Sequence, residues 1–147
     1  MKKTILCFLF GVLSTVSFAK GNSPNNCEKL SLTITNETGK TCKLINHNLS
    51  HGFFTYTSNV PSFIPNNTTT TPLFMTQSGM YGPELQLTYD CQNGRMISFT
   101  SKQNYCMMSS GAINGIIQFQ NGINAEYSAK TGDYFWSQSG NIDWRLY

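Results

Sequence analysis

The sequence predicts an all-β fold, an antiparallel β-sandwich of about eight to ten short strands stapled by disulfides. Three observations predict it. Apolar and polar residues alternate with period two in several separate runs, and no window has helical spacing. Turn-forming clusters of Gly, Pro, Asn and Asp separate these runs. Four cysteines follow an export signal, and an even number in an oxidising compartment reads as two disulfides.

The signal comes first in the chain. Met1-Lys2-Lys3 is a basic start, Thr4 to Phe18 is mostly apolar, and Ser17-Phe18-Ala19 puts small residues where a signal peptidase reads. The expected organisation is a cleaved signal peptide over residues 1–19, then one domain over residues 20–147. The apolar run is too short for a good membrane span, and no second long one follows. Cys7 lies too near the start to serve as a lipid-anchored cysteine. The compact Met-Lys-Lys signal looks bacterial, so the mature chain is expected in the periplasm or outside the cell.

In the mature chain, Leu30, Leu32 and Ile34 share one face of a strand, with Ser31, Thr33 and Thr35 on the other. The turn at Asn36 to Lys40 is read as closing a first hairpin that sets Ile34 opposite Cys42. Ser58 to Thr71, with Pro61, Pro65 and four consecutive threonines, reads as a long loop leading into an edge strand near Pro72 to Gln77. Leu85, Leu87 and Tyr89 then alternate with Gln86, Thr88 and Asp90. Ile97 and Phe99 alternate with Met96, Ser98 and Thr100.

Gln-Asn-Gly occurs at 92–94 and again at 120–122. A two-residue Asn-Gly loop at the first site would place Tyr89 opposite Ser98. A three-residue loop places Tyr89 opposite Ile97 and Leu87 opposite Phe99, which keeps the apolar faces together. The same test at the second site pairs Phe119 with Ile123 and Ile117 with Ala125. The last strand holds Ile142, Trp144 and Leu146 on one face.

Hairpins at these positions constrain the cysteines. Cys27 and Cys42 would sit at opposite ends of the first hairpin, roughly 20 Å apart at strand rise. A disulfide needs Cα atoms within about 7 Å. Bridges between hairpins are therefore favoured, Cys42 with Cys91 and Cys27 with Cys106. A bend after Thr100 that returned Cys106 to Cys91 is the alternative. The Cys spacings of 15, 49 and 15 do not suit a zinc site, which wants close pairs.

Composition excludes some functions. Without Lys2 and Lys3 the formal charge falls from +3 to +1, and the cations are scattered, so no nucleic-acid-binding patch is expected. His47 and His51 flank a strand end with no third ligand nearby, so neither a metal nor a cofactor is expected. No nucleophile elbow, phosphate loop or dinucleotide fingerprint is present. Seven carboxylates are spread over turns and solvent faces, which leaves a small carboxylate-dependent hydrolase as the alternative to a non-catalytic module.

The aromatics carry the functional expectation. Phe53, Phe54 and Tyr56 crowd one segment, Phe63 lies between Pro61 and Pro65, and Tyr134-Phe135-Trp136 run together. Neighbours in a strand face opposite ways, so one of Phe53 and Phe54 and one face of the later triplet must lie outside the core. Exposed aromatics on a neutral, amide- and hydroxyl-rich surface suit sugar stacking or insertion at a membrane interface. Phe53, Phe54, Tyr56, Phe63 and Trp136 are the candidate contacts with a lipid or glycan surface, with the Phe63 loop preferred. A protein partner among other exported proteins is the further alternative.

The runs "LTITNETGKTCKL" (residues 32–44), "HGFF" (51–54) and "SGMYGPELQLTYDC" (78–91) resemble the layout of aegerolysin-like β-sandwiches. The likeness covers under half of the mature chain. It implies a sandwich and recognition of membrane lipids, in some members with a pore-forming partner. The signal and the four-cysteine framework depart from that family, and no individual ligand-binding residue carries over.

Overall fold

A computed structural model describes residues 25–55, 58–108 and 111–147. The expected signal peptide and Tyr56 lie outside the described residues. The described residues form a single 3-10 turn at Asn26–Glu28 and eleven strands: β1 Lys29–Asn36, β2 Cys42–His51, β3 Phe53–Phe54, β4 Phe63–Ile64, β5 Thr68–Thr69, β6 Leu73–Thr76, β7 Glu84–Asp90, β8 Met96–Gln103, β9 Ile113–Asn121, β10 Ala125–Lys130 and β11 Gly140–Leu146. They make two sheets. The first has the order β10-β11-β1-β6-β3, with β5 also laddered to β1, and the second has the order β4-β2-β7-β8-β9.

The alternation read from the sequence is the alternation of burial. Leu30, Leu32 and Ile34 of β1, Leu85, Leu87 and Tyr89 of β7, and Ile142, Trp144 and Leu146 of β11 all turn inward and are buried. Facing residues of the two sheets interdigitate, as with the Phe99 and Trp144 rings at 4.4 Å between centroids. On β8 the expectation that Ser98 and Thr100 face solvent is corrected. Both are buried, because β8 is covered by neighbours on both sides, and Ser98 Oγ accepts from Thr88 and Gln86.

The register at the first Gln-Asn-Gly is the three-residue loop, with Tyr89 opposite Ile97 and Leu87 opposite Phe99. Gln92, Asn93 and Gly94 all take positive φ, and Asp90 Oδ1 accepts from the Gln92 amide at 2.9 Å.

Two expected hairpins are instead crossings between sheets. β1 belongs to the first sheet and β2 to the second, so Ile34 pairs with Trp144 and Cys42 with Ile64. The buried Asn36 makes this crossing affordable. Its Nδ2 donates to the Lys40 and Ile64 carbonyls at 2.8 and 2.7 Å, and its Oδ1 accepts from the Thr38 amide and hydroxyl. The second Gln-Asn-Gly does the same. β9 ladders with β8 and β10 with β11, so Phe119 lies opposite Ser98, not Ile123, and Ile117 lies opposite Phe99, not Ala125.

Two further corrections concern order. β6 is not an edge strand, since β3 pairs with it on its outer side. β1 and β11 run parallel, which among the described residues is the one departure from an otherwise antiparallel pattern. Both observed disulfides are those favoured from the sequence, Cys42–Cys91 and Cys27–Cys106. The first joins neighbouring strand ends in the core, and the second ties together the loops at one end of the sandwich.

Candidate functional site

Register fixes which loops share an end. Lys29 and Phe53 both pair with Thr76, and Leu30 pairs with Gly140. In the second sheet His51 pairs with Glu84, Glu84 with Lys102, and Gln103 with Ile113. The segments around 26, 52, 77–83, 104–108, 111–112 and 131–139 therefore cluster at one end.

Cross-ties hold that end together. The Cys27–Cys106 bridge links the 3-10 turn to the segment 104–108. The buried Gln103 donates from Nε2 to the Cys27 carbonyl at 2.6 Å, and the Cys106 amide donates to Gln77 Oε1 at 3.2 Å. Gly82 lies so close to β8 that an added Cβ would stand 1.9 Å from the Gln103 carbonyl oxygen. Gly111 bridges to Gly132, and Asn25 Nδ2 donates to the Tyr134 carbonyl at 2.8 Å.

On this tied base stand large apolar side chains in water. Phe135 and Trp136 are 76% and 77% exposed. Phe53, Met80, Tyr81, Met107 and Met108 are exposed on other segments of the same end. The sequence expectation for Tyr134-Phe135-Trp136 was strand alternation. The triplet instead forms a tight turn closed by reciprocal backbone hydrogen bonds between Asp133 and Gln138, both 2.9 Å. Asp133 Oδ1 also accepts from the Trp136 amide at 3.0 Å. A turn has no inner face, so Phe135 and Trp136 both point out while Tyr134 is partly covered.

A shallow cavity of about 230 Å³ opens at the same end, lined by His51, Met80, Tyr81, Lys102, Asn104 and Tyr105 among others. The His51 and Tyr81 rings stack at 4.8 Å, and Lys102 Nζ pairs with Glu84 at 2.8 Å. A second depression of about 260 Å³ lies over β10 and β11, where Arg145 bonds Glu37 and Glu126. Those two acids raise the Arg145 pKa further above its ordinary value, Glu37 by hydrogen bonding first. Their carboxylates hold an arginine between them, an arrangement for structure and not for paired acid–base work. Among the described residues, no three His, Cys, Asp or Glu side chains converge.

The residues singled out from the sequence thus divide. Phe53 and Trp136 come to the tied end. Phe54 is half-buried and packs on the core. Phe63, 59% exposed, pairs with Lys43 at the opposite end. Met80, Tyr81, Met107, Met108 and Phe135 were missed. Their signal was apolar residues inside inter-strand segments, next to Gly82-Pro83 and Cys106, where alternation gives no reason for them.

No family model matches the sequence, and no curated protein matches it. Solved structures match the fold. The lipid binding protein Nakanori is similar over 80% of this chain and 70% of its own, with a TM-score of 0.64 at 10% identity. IP-1A from Alcaligenes faecalis is similar over 83% of this chain and 91% of its own, with a TM-score of 0.54 at 12% identity. The RahU protein, solved in complex with a TRIS molecule, is similar over 83% of this chain and 97% of its own, with a TM-score of 0.56 at 9% identity. At these identities the likeness is one of fold.

Proposed function

We propose that this protein is an exported, non-catalytic module that docks on a lipid membrane surface through its disulfide-tied loop end. The observation that carries the reading is the gathering of Phe53, Met80, Tyr81, Met107, Phe135 and Trp136 at one end of the sandwich. Moving a Phe- or Met-sized side chain out of water is worth roughly 1.5–3 kcal/mol when burial is complete. Several partly inserted side chains together reach the ~8 kcal/mol of micromolar binding. The cross-ties matter because loops already held in place lose little entropy on docking. Trp and Tyr also favour the headgroup depth of a bilayer, where an apolar ring and a polar edge are both satisfied. The fold likeness to a lipid binding protein supports the reading. Two disulfides fit an oxidising compartment outside the cytoplasm.

The test is co-sedimentation with vesicles of zwitterionic and of anionic phospholipid. The wild type is expected to pellet with at least one of them. The combined variant Phe53→Ser, Phe135→Ser, Trp136→Ser is expected to lose binding, and Phe63→Ser at the opposite end to keep it. No pelleting with either vesicle, or equal pelleting of the combined variant, overturns the proposal.

A further inference from the structure

A sheet edge presents unpaired N–H and C=O groups, and sheets blunt their edges by brevity, charge or cover. The two sheets here have four edges. β3 and β4 are two residues long. β10 carries Glu126 and Lys130, with Glu126 bonded to Arg145 at 3.2 Å. The fourth edge, β9, differs from all three. It is nine residues long, and among the described residues it ladders only with β8. From Gln103 to Ala125 the chain has no Asp, Glu, Lys, Arg or Pro. Ile116, Ile117 and Phe119 are exposed on it. A register shift falls opposite Ser98 and Phe99, but Ile113–Ile117 remains a regular ladder.

We propose that β9 is a self-association edge, at which two copies of this chain pair β9 to β9, antiparallel about a two-fold axis, and join their second sheets into one. The neutrality of the strand selects the occupant. In a two-fold interface a patch meets its own copy, so any charge near the axis faces itself. A long uncharged segment is the sequence form that avoids this repulsion. A foreign strand would instead be selected by complementary charges, and β9 has none to offer. Paired main-chain groups supply the attraction, and the apolar middle of the strand is covered by its equivalent. The joined sheet ends at both sides on the two-residue β4, and the first-sheet edges are the two-residue β3 and the charged β10, so growth stops at two copies. The antiparallel arrangement also sends the two loop ends in opposite directions. The inference does not depend on the lipid reading.

The experiment is sedimentation velocity of the purified oxidised protein across the micromolar range, with amide hydrogen exchange at the same concentrations. The expected result is a shift from one to two copies, and exchange that slows with concentration at β9 amides but not at β10. Ile117→Lys is expected to weaken association at least tenfold, and Ser128→Lys on β10 to leave it unchanged. Should Ile117→Lys fail to fold by circular dichroism, Phe119→Lys at a more exposed position gives the same readout. A single-copy mass at every concentration overturns the proposal. So does a dimer indifferent to the β9 lysine.

Discussion

The indole Nε1 of Trp144 in β11 donates to the Ser101 hydroxyl of β8 at 2.8 Å, a buried hydrogen bond from one sheet to the other. Trp144 is also the largest fully buried side chain, packed against Phe99 and Tyr127. Ser101→Ala removes the acceptor and leaves the indole N–H buried and unpaired. The expected loss is about 1–3 kcal/mol of unfolding free energy, read from the urea midpoint with unchanged slope.

Tyr89 makes stability depend on alkaline pH. Its hydroxyl donates to the Pro61 carbonyl at 2.9 Å, and burial pushes its pKa well above the ordinary 10.0. Above that ordinary value the unfolded chain loses a proton that the folded chain keeps. Stability is therefore full below about pH 10 and falls as pH rises beyond it. Tyr89→Phe is expected to be less stable at neutral pH and to lose less on passing to alkaline pH. Urea midpoints on both sides of the transition check this.

Trp136 offers a direct optical test. The protein has two tryptophans, of which Trp144 is buried and Trp136 is exposed. Vesicles that bind the loop end are expected to shift the emission to shorter wavelength, and Trp136→Ser to abolish the shift. Because the side chain is exposed, the variant's unfolding free energy should stay within about 0.5 kcal/mol of the wild type.

The two disulfides should separate by function. Replacing Cys27 and Cys106 together by Ser is expected to cost about 2–5 kcal/mol, as is the same change at Cys42 and Cys91. Only the first pair ties the apolar loops. In conditions where both variants remain folded, vesicle affinity should fall with loss of Cys27–Cys106 and stay near wild type with loss of Cys42–Cys91.

Antiparallel β9 pairing would make a lipid-binding dimer bivalent. With its two loop ends facing opposite ways, it should cluster vesicles and raise their turbidity. Ile117→Lys should bind vesicles without clustering them.

Gly115 explains how the open side beneath β9 is closed. An added Cβ would stand 2.6 Å from the Tyr127 ring and 2.7 Å from the Trp144 ring. The sequence showed a glycine inside a strand pattern but not the two rings that require it.

What the sequence determined by itself was local: which side chains turn inward on β1, β7 and β11, and the register across Gln92–Gly94. Facing is set by the two-residue period of an extended chain, and each strand carries that period alone. What only the tertiary structure decided was which strand each one neighbours. The inner faces of both sheets meet in one core, so an apolar alternation on either side of a turn looks the same whether the turn closes a hairpin or crosses between sheets. That is why Asn36–Lys40 and Gln120–Gly122 read as hairpins. It is also why the meeting of Phe53, Phe135 and Trp136 at one end, with Phe63 at the other, was invisible until strand order was known.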